Sequence, residues 1–150
     1  MRYQGRNLRK GRFSEPGRIY LLTAVTHERT PVFTHWDWAC VLAREIQAMQ
    51  DPASLETLAW VLMPDHLHWL VQLQSGTLGE HVQRLKSRSA IGVNALRKSS
   101  GRLWQKGFHD HALRREEDVK AVARYVVANP LRAGLVEKLA DYPFWDAIWL

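Results

Sequence analysis

Hydrophobic side chains in the first third of the chain follow two different periods. Residues 19–26 are β-branched, aliphatic or aromatic at most positions, which predicts a strand that is covered on part of each face. Residues 34–50 repeat hydrophobic side chains every three or four positions, which is the period of an amphipathic helix. Thr34 and Asp37 have the spacing of a capping box, so we expect this helix to begin near Thr34.

Two extended apolar stretches follow, and one short turn separates them. Residues 55–63 are apolar on both faces, and residues 66–74 continue as a second extended stretch. The intervening Pro64-Asp65 is a typical turn dipeptide. This arrangement predicts a tight antiparallel hairpin.

The second half of the chain predicts two more helices and a weak strand. Thr77 and Glu80 form a second possible capping box, and helical spacing continues from there to about Gly101. Residues 103–113 are extended in character but rich in polar side chains, so they predict a fourth strand only weakly. Residues 116–129 carry a valine stripe and acids in the first turn, which favours a third helix.

The order of these elements indicates an α+β fold within one domain spanning residues 1–150. We expect a ferredoxin-like four-stranded antiparallel sheet with two helices on one face. The third helix, which bears Tyr125, is additional to that core. Residues 1–17 are expected to be a basic N-terminal arm, and residues 131–150 an aromatic C-terminal tail.

Composition excludes several classes of protein. A single cysteine, Cys40, excludes an internal disulfide and a cysteine-rich zinc site. The longest strictly apolar run, Leu58–Met63, is far shorter than the roughly 18 residues of a membrane span. We therefore expect a cytoplasmic protein that does not associate with membranes.

Positive charge is concentrated in two blocks, although the net charge of the whole chain is only +6. Residues 1–20 carry six basic side chains and one acid, and residues 84–115 carry nine basic side chains and one acid. Either block alone is compatible with an ordinary solvated surface, but two blocks in a small domain favour a phosphate-binding surface. The predicted DNA contacts are Arg6, Arg9, Lys10, Arg12, Arg84, Lys86, Arg88, Arg97, Lys98, Arg102 and Lys106, with Trp104 as a possible stacking platform for an unpaired base.

Two histidines lie two positions apart on the predicted strand 66–74. His66 and His68 should therefore leave the same face of the sheet, while Leu67 and Trp69 point to the other face. Two imidazoles side by side form half of a divalent-metal site. For an isolated pair of this kind, a pair of structural or surface histidines is the preferred interpretation, because such pairs arise easily by chance. A second pair, at His109 and His111, ranks lower because no comparable tyrosine helix accompanies it.

The third helix supplies a possible nucleophile. Tyr125 and Asn129 are four residues apart and share a helical face. A phenol is a poor nucleophile near neutral pH, but a nearby cation or metal favours the phenolate. The Asn129 amide oxygen could complete a metal site. The simpler alternatives are a packed tyrosine and an asparagine that ends the helix before Pro130.

In combination these motifs resemble the REP-associated tyrosine transposases, which are relatives of the single-tyrosine insertion-sequence transposases within the HUH endonuclease superfamily. The resemblance spans nearly the whole chain. The matching segments are Pro16-Gly17 leading into 19–26, Met63-Pro64-Asp65-His66-Leu67-His68, Leu103-Trp104-Gln105 through Asp110-His111, and Ala123-Arg124-Tyr125 through Asn129-Pro130-Leu131-Arg132-Ala133-Gly134-Leu135.

The resemblance implies a specific chemistry for these residues. His66 and His68 would bind the metal, Asn129 would be a third ligand, and Tyr125 would be the nucleophile. The activity implied is cleavage of single-stranded hairpin DNA of the repetitive extragenic palindrome (REP) type, through a 5′-phosphotyrosine, followed by strand transfer. Mg²⁺ or Mn²⁺ is the expected cofactor. A monomer is expected rather than a dimer.

Two other functions remain open at the level of sequence. A non-catalytic hairpin DNA or RNA binding module on the same fold would bind its ligand without needing Tyr125 or a metal. A rolling-circle replication initiator is less favoured, because there is no second nearby catalytic tyrosine and no helicase-sized extension.

Overall fold

The computed structural model describes residues 15–114 and 118–149. Within this part of the chain the strands are β1 (Ile19–Val25), β2 (Leu55–Met63), β3 (His66–Leu73), β4 (His109–Ala112) and β5 (Trp145–Ala147). The α-helices are α1 (Trp36–Ala48), α2 (Leu78–Arg97), α3 (Val119–Val127) and the short α4 (Asn129–Arg132). Short 3₁₀ turns lie at His27–Arg29, Val32–Thr34 and Leu139–Asp141.

The five strands of the described residues form one antiparallel sheet in the order β4-β1-β3-β2-β5. The mixed α/β class and the β2–β3 hairpin are confirmed, but the expected number of four strands is wrong. The fifth strand comes from the segment that was expected to be only a tail, and it pairs with the outer edge of β2 through Ala59, Trp60 and Val61. It escapes sequence patterning because it is three residues long and has Asp146 at its centre.

The two faces of the sheet are covered by different helices. Leu22 on β1 and Trp69 on β3 belong to the core that also contains Leu42 of α1 and Leu85 of α2. The two predicted helices therefore cover one face, as expected. α3 lies against the opposite face, where its Val126 packs with buried side chains of β2.

The observed starts of the three longer helices agree with the sequence predictions to different degrees. Thr77 and Glu80 form the predicted capping box at the start of α2. The box expected at Thr34 is absent: α1 begins at Trp36, and the Thr34 hydroxyl donates to the Pro31 carbonyl instead. The third helix starts at Val119 with Asp118 as its cap, and the predicted start at residue 116 lies outside the described residues.

The weak fourth strand is shorter than predicted. Only His109–Ala112 pairs with β1, whereas residues 98–108 run as a loop along α2. A single bridge between Thr26 and Trp104 connects this loop to the end of β1. The predicted basic arm lies largely outside the described residues, and with it Arg6, Arg9, Lys10 and Arg12. No helix of the described residues is long and apolar enough to cross a membrane.

Candidate active site

His66 and His68 lie side by side on the sheet face that α3 covers. In the β1–β3 ladder His66 is opposite Val25 and His68 is opposite Thr23. The two ring centroids are 4.8 Å apart, with the rings nearly perpendicular. Leu67 and Trp69, each 1% exposed, point into the core on the other face. The alternation expected from a period of two is therefore present.

The turn that precedes His66 is held from the end of β1. The buried Thr26 donates from its backbone N–H to the Asp65 carbonyl over 2.9 Å, and its hydroxyl lies 3.1 Å from the same oxygen. The Phe33 N–H donates to the Pro64 carbonyl over 3.0 Å. Because two backbone hydrogen bonds hold this two-residue turn, the position of His66 at the start of β3 is fixed as well.

Both imidazoles are held through Nδ1. His66 Nδ1 lies 2.7 Å from Asp65 Oδ1, and Asp65 Oδ2 in turn accepts from Arg29 Nε at 3.2 Å. His68 Nδ1 lies 2.9 Å from the Thr23 hydroxyl. Histidines that bind metals are commonly oriented in this way by a carboxylate or another polar partner on the second nitrogen. Nε2 is therefore the nitrogen that each ring could offer to a metal.

The electrostatics of the pair favour a neutral ligand at His68. Burial, followed by the nearby charges of His66 and Arg132, lowers the pKa of His68 to about 4. A neutral imidazole is the form that binds metals. Burial by itself would raise the pKa of Asp65, but the hydrogen bond from His66 and the charges of His66 and Arg29 outweigh burial and hold that pKa below its usual value.

The helix that bears Tyr125 lies over the neighbouring strand. Val126, adjacent to Tyr125, packs with Val61 and Met63 of β2. In the β2–β3 ladder these two residues are the direct partners of His68 and His66, respectively. Tyr125 itself is 66% exposed. The structure thus brings the tyrosine helix and the histidine pair to one face of the sheet and leaves the phenol accessible.

Asn129 lies two residues beyond the end of α3 and takes part in ending it. Its amide nitrogen donates to the Val126 carbonyl over 2.9 Å, which is the helix-end role expected as the simpler alternative. That bond uses the nitrogen, so the amide oxygen is the atom that could bind a cation. No group of three or more His, Cys, Asp or Glu side chains suited to a metal occurs among the described residues. The donors that the described residues place side by side for a divalent cation are therefore the two imidazoles of His66 and His68.

The predicted DNA-contacting cations fall into two groups. Lys86 donates to the Gln105 and Gly107 carbonyls, Arg88 pairs with Glu45 over 2.7 Å, and Arg97 donates to Asn94 over 2.8 Å. Lys86 and Arg88 thus hold α2 to its surroundings, whereas the Arg97 bond to Asn94 lies within α2. The remaining predicted cations of the described residues are exposed: Arg84, Lys98, Arg102 and Lys106. Of these, Arg102 and Lys106 line a groove between α2 and the 98–107 loop.

Trp104 is not available for stacking on a base. Its side chain is 5% exposed, packs against Phe33 at a centroid distance of 5.5 Å, and donates its indole N–H to the buried Ser89 hydroxyl over 2.9 Å. The prediction that it contacts DNA is therefore wrong. Core packing, the simpler alternative, is the role that the structure supports.

Two features of this face were undervalued or missed by sequence reasoning. Thr23 pairs with His68 on one side and with His109 on the other, so the second histidine pair shares the face of the first. The Arg132 guanidinium carbon lies 3.7 Å from the centroid of the Tyr125 ring. The seven-residue spacing between Tyr125 and Arg132, two helical turns, was the available signal for that contact.

Comparisons with known proteins agree with this geometry. The family described as "Transposase IS200 like" matches residues 17–129. A Haemophilus influenzae protein provisionally named a REP-associated tyrosine transposase is 24% identical over 139 residues, which cover 85% of this chain and 78% of that protein. The Escherichia coli REP-associated tyrosine transposase is 29% identical over 93 residues, which cover 59% of this chain and only 52% of that protein.

A solved structure, of a REP-associated tyrosine transposase bound to a REP hairpin, has a related fold. It superimposes with a TM-score of 0.69 over 90% of this chain and 79% of that chain, at 22% sequence identity. At this identity the likeness concerns the fold. Because the family match covers well over half of the residues and includes His66, His68, Tyr125 and Asn129, the chain belongs to the IS200-like transposase family and is an enzyme of the tyrosine transposase type.

Proposed function

We propose that this transposase is a metal-dependent single-stranded DNA endonuclease and strand transferase that acts on hairpin DNA through Tyr125. The observation that carries this proposal is the packing of the tyrosine helix over the direct strand partners of His66 and His68. One accessible phenol and two oriented imidazoles on the same sheet face are the parts that such a reaction needs.

The proposed reaction is a transesterification. The Tyr125 oxygen attacks the scissile phosphorus and forms a 5′-phosphotyrosine, while the bond from phosphorus to the 3′-oxygen breaks. The phenolic proton passes to solvent, and the departing 3′-oxygen takes up a proton to become a hydroxyl. Because one phosphodiester replaces another, the same hydroxyl, or one on another DNA end, can reverse the step without a nucleotide cofactor.

His66 and His68 would hold Mg²⁺ or Mn²⁺ through their Nε2 atoms, with the Asn129 amide oxygen as a third ligand. The hydrogen bonds of Asp65 and Thr23 to Nδ1 of the two rings support this assignment, as does the low pKa of His68. A cation bound there would draw negative charge from the scissile phosphate. The chain's own contribution is to orient the two rings and to keep His68 neutral.

Hairpin DNA of the REP type is the proposed substrate. The related structure named above contains a transposase bound to a REP hairpin. On this chain the exposed Arg84, Lys98, Arg102 and Lys106 would contact the hairpin phosphates. Arg6, Arg9, Lys10 and Arg12 of the N-terminal segment are proposed as further contacts.

A single copy of the chain is the proposed active unit. The tyrosine helix packs on the sheet of its own chain, through Val126 with Val61 and Met63. This packing supports a site in which the nucleophile and the histidines belong to one copy. A monomer should accordingly cleave at a rate that is proportional to protein concentration.

The experiment that tests this function uses end-labelled single-stranded hairpins with Mg²⁺ or Mn²⁺, resolved on a denaturing gel. The expected result is a labelled protein–DNA adduct that disappears with chelator, in Tyr125→Phe and in His66→Ala. Hairpin binding without an adduct under all conditions would instead support the non-catalytic binding module.

A further inference from the structure

We propose that Arg132 is a catalytic residue that contacts a non-bridging oxygen of the scissile phosphate while Tyr125 attacks it. This inference rests on the function proposed above and adds a residue to it. Its basis is the position of the guanidinium, whose central carbon lies 3.7 Å from the centroid of the Tyr125 ring. Because the guanidinium lies over the Tyr125 ring, it is also close to the phosphate that the Tyr125 oxygen would attack.

Among the described residues, the charge of Arg132 has no acidic partner. Arg18, Arg29 and Arg88 each lie within 3.3 Å of a carboxylate oxygen. Within residues 15–114 and 118–149, no carboxylate lies within ion-pair distance of Arg132, which is also exposed. A guanidinium without an acidic partner can bind the oxygens of a phosphate, because its fork of N–H donors matches the geometry of that group.

The backbone fixes Arg132 in this place. Only Ala128 separates α3 from α4, and the Arg132 N–H donates to the Ala128 carbonyl over 3.1 Å. Pro130 is buried, which anchors the short helix against the protein. The only freedom left to Arg132 is that of its side chain, which can leave the tyrosine ring for a phosphate without a change in the fold.

Arg132 also lies near the histidine pair. Its guanidinium covers the ring of Tyr125, and Val126 beside Tyr125 packs with Val61 and Met63, the direct strand partners of His68 and His66. The guanidinium is thus close both to Tyr125 and to the pair proposed to hold the metal. A phosphate attacked by Tyr125 and contacted by a metal at His66 and His68 must occupy this same region.

The proposed role is stabilisation of the charge that develops during transfer. As the bond from the Tyr125 oxygen to phosphorus forms and the bond to the 3′-oxygen breaks, the non-bridging oxygens carry negative charge. The guanidinium donates hydrogen bonds to one of them and takes up no proton itself. Loss of a single donor of this kind typically slows a reaction by about 100- to 1,000-fold.

The test compares variants on two hairpins under single-turnover conditions with saturating protein and Mn²⁺. One hairpin carries an ordinary scissile phosphate, and the other a methylphosphonate, in which an uncharged methyl group replaces one non-bridging oxygen. On the ordinary hairpin we expect Arg132→Gln to form the Tyr125 adduct on the order of 100-fold more slowly than the unaltered protein. Arg132→Lys should recover part of this loss because it keeps the charge. On at least one methylphosphonate stereoisomer the deficit of Arg132→Gln should shrink to a few-fold.

The control is Arg44→Gln, which removes one exposed positive charge from α1, on the opposite face of the sheet. It should match the unaltered protein on both hairpins. Equal rates of the unaltered protein and Arg132→Gln on the ordinary hairpin would overturn the role of Arg132 while leaving the proposed function intact. An equal deficit on both hairpins would also overturn it, since a structural role does not depend on the charge of the phosphate. If the unaltered protein forms no adduct at all, the proposed function fails and the role of Arg132 fails with it.

Discussion

Asp65 and His66 are neighbours in the chain and also hydrogen-bonded partners, with Asp65 Oδ1 lying 2.7 Å from His66 Nδ1. The opposite oxygen of the same carboxylate accepts from Arg29 over 3.2 Å. Arg29 is one of two consecutive non-glycine residues with positive φ, at +52°, and Glu28 before it is at +55°. A sparsely populated backbone conformation thus accompanies the contact that orients a candidate metal ligand.

Removal of the Asp65 carboxylate should weaken metal binding. Outer hydrogen-bond partners of a metal ligand typically contribute about 10- to 100-fold in affinity. We expect Asp65→Ala to lower Mn²⁺ affinity by a factor in this range, and Asp65→Asn to lose less because its amide oxygen can still accept from His66. Isothermal titration with Mn²⁺ measures this. The control is Asp37→Asn, which removes an exposed acid at the start of α1 and should bind Mn²⁺ as tightly as the unaltered protein does. An unchanged Mn²⁺ affinity in Asp65→Ala would contradict the role of Asp65.

Arg102 and Arg88 should contribute differently to the salt dependence of hairpin binding. Arg102 is exposed beside the groove, so Arg102→Gln should reduce the slope of log affinity against log salt for hairpin DNA by about one. Arg88 is paired with Glu45, so Arg88→Gln should leave the slope unchanged and cost at most about 1 kcal/mol of stability. Fluorescence anisotropy across a salt series measures the slope for each variant. Identical slopes in Arg102→Gln and Arg88→Gln would show that the ion pair with Glu45 does not distinguish Arg88 from Arg102 in DNA binding.

Trp104 should contribute to the stability of the fold and not to DNA contact. Trp104→Phe removes the hydrogen bond to Ser89 and part of a buried ring, which should lower the free energy of unfolding by about 1–3 kcal/mol. Urea denaturation measures this loss. Hairpin affinity, taken at a temperature where the variant is fully folded, should stay within about twofold. A large loss of affinity with unchanged stability would show that the ring contacts DNA after all.

Tyr142 should make the fold sensitive to alkali. Burial raises its pKa to about 12, and its hydroxyl lies 2.5 Å from the Leu62 carbonyl. The unfolded chain ionises this phenol near pH 10, whereas the folded chain keeps the proton until about pH 12. Its contribution to stability is therefore complete below about pH 10 and is lost as the pH rises through the folded pKa.

The matched variant for this effect is Tyr142→Phe. Urea unfolding at about pH 8 and about pH 11 should show a smaller alkaline loss in the variant than in the unaltered protein. Burial also raises the pKa of Tyr20, so part of the alkaline loss should remain in the variant. Equal losses in both proteins would mean that the Tyr142 hydroxyl keeps an ordinary pKa.

The histidine pair could be predicted because a strand has a strict period of two. Once residues 66–74 are taken as a strand, the shared face of His66 and His68 follows from geometry alone. The same holds for the tyrosine helix, whose valine stripe indicates the side that packs on the sheet. Local periodicity was sufficient for these elements.

Other features depend on contacts between distant parts of the chain and have no local pattern. The short strand β5 is recognisable only by its pairing with β2, since Asp146 interrupts its apolar character. The partners of Lys86 and Arg88 lie 19 and 43 positions away in sequence, so sequence alone could not separate them from free cations. Arg132 lies beyond the proline expected to end the third helix, which is why its contact with Tyr125 was missed.

Whether Tyr125 is the nucleophile is decided by finding which residue of the protein is bonded to the DNA. The chain is incubated with a single-stranded hairpin and Mn²⁺, the adduct is digested with protease and nuclease, and the modified peptide is identified by mass spectrometry. We predict one modified peptide, with the residual nucleotide on the Tyr125 oxygen through a 5′-phosphate. A modification at any other residue, or a cleaved hairpin with no covalent adduct, would contradict the mechanism.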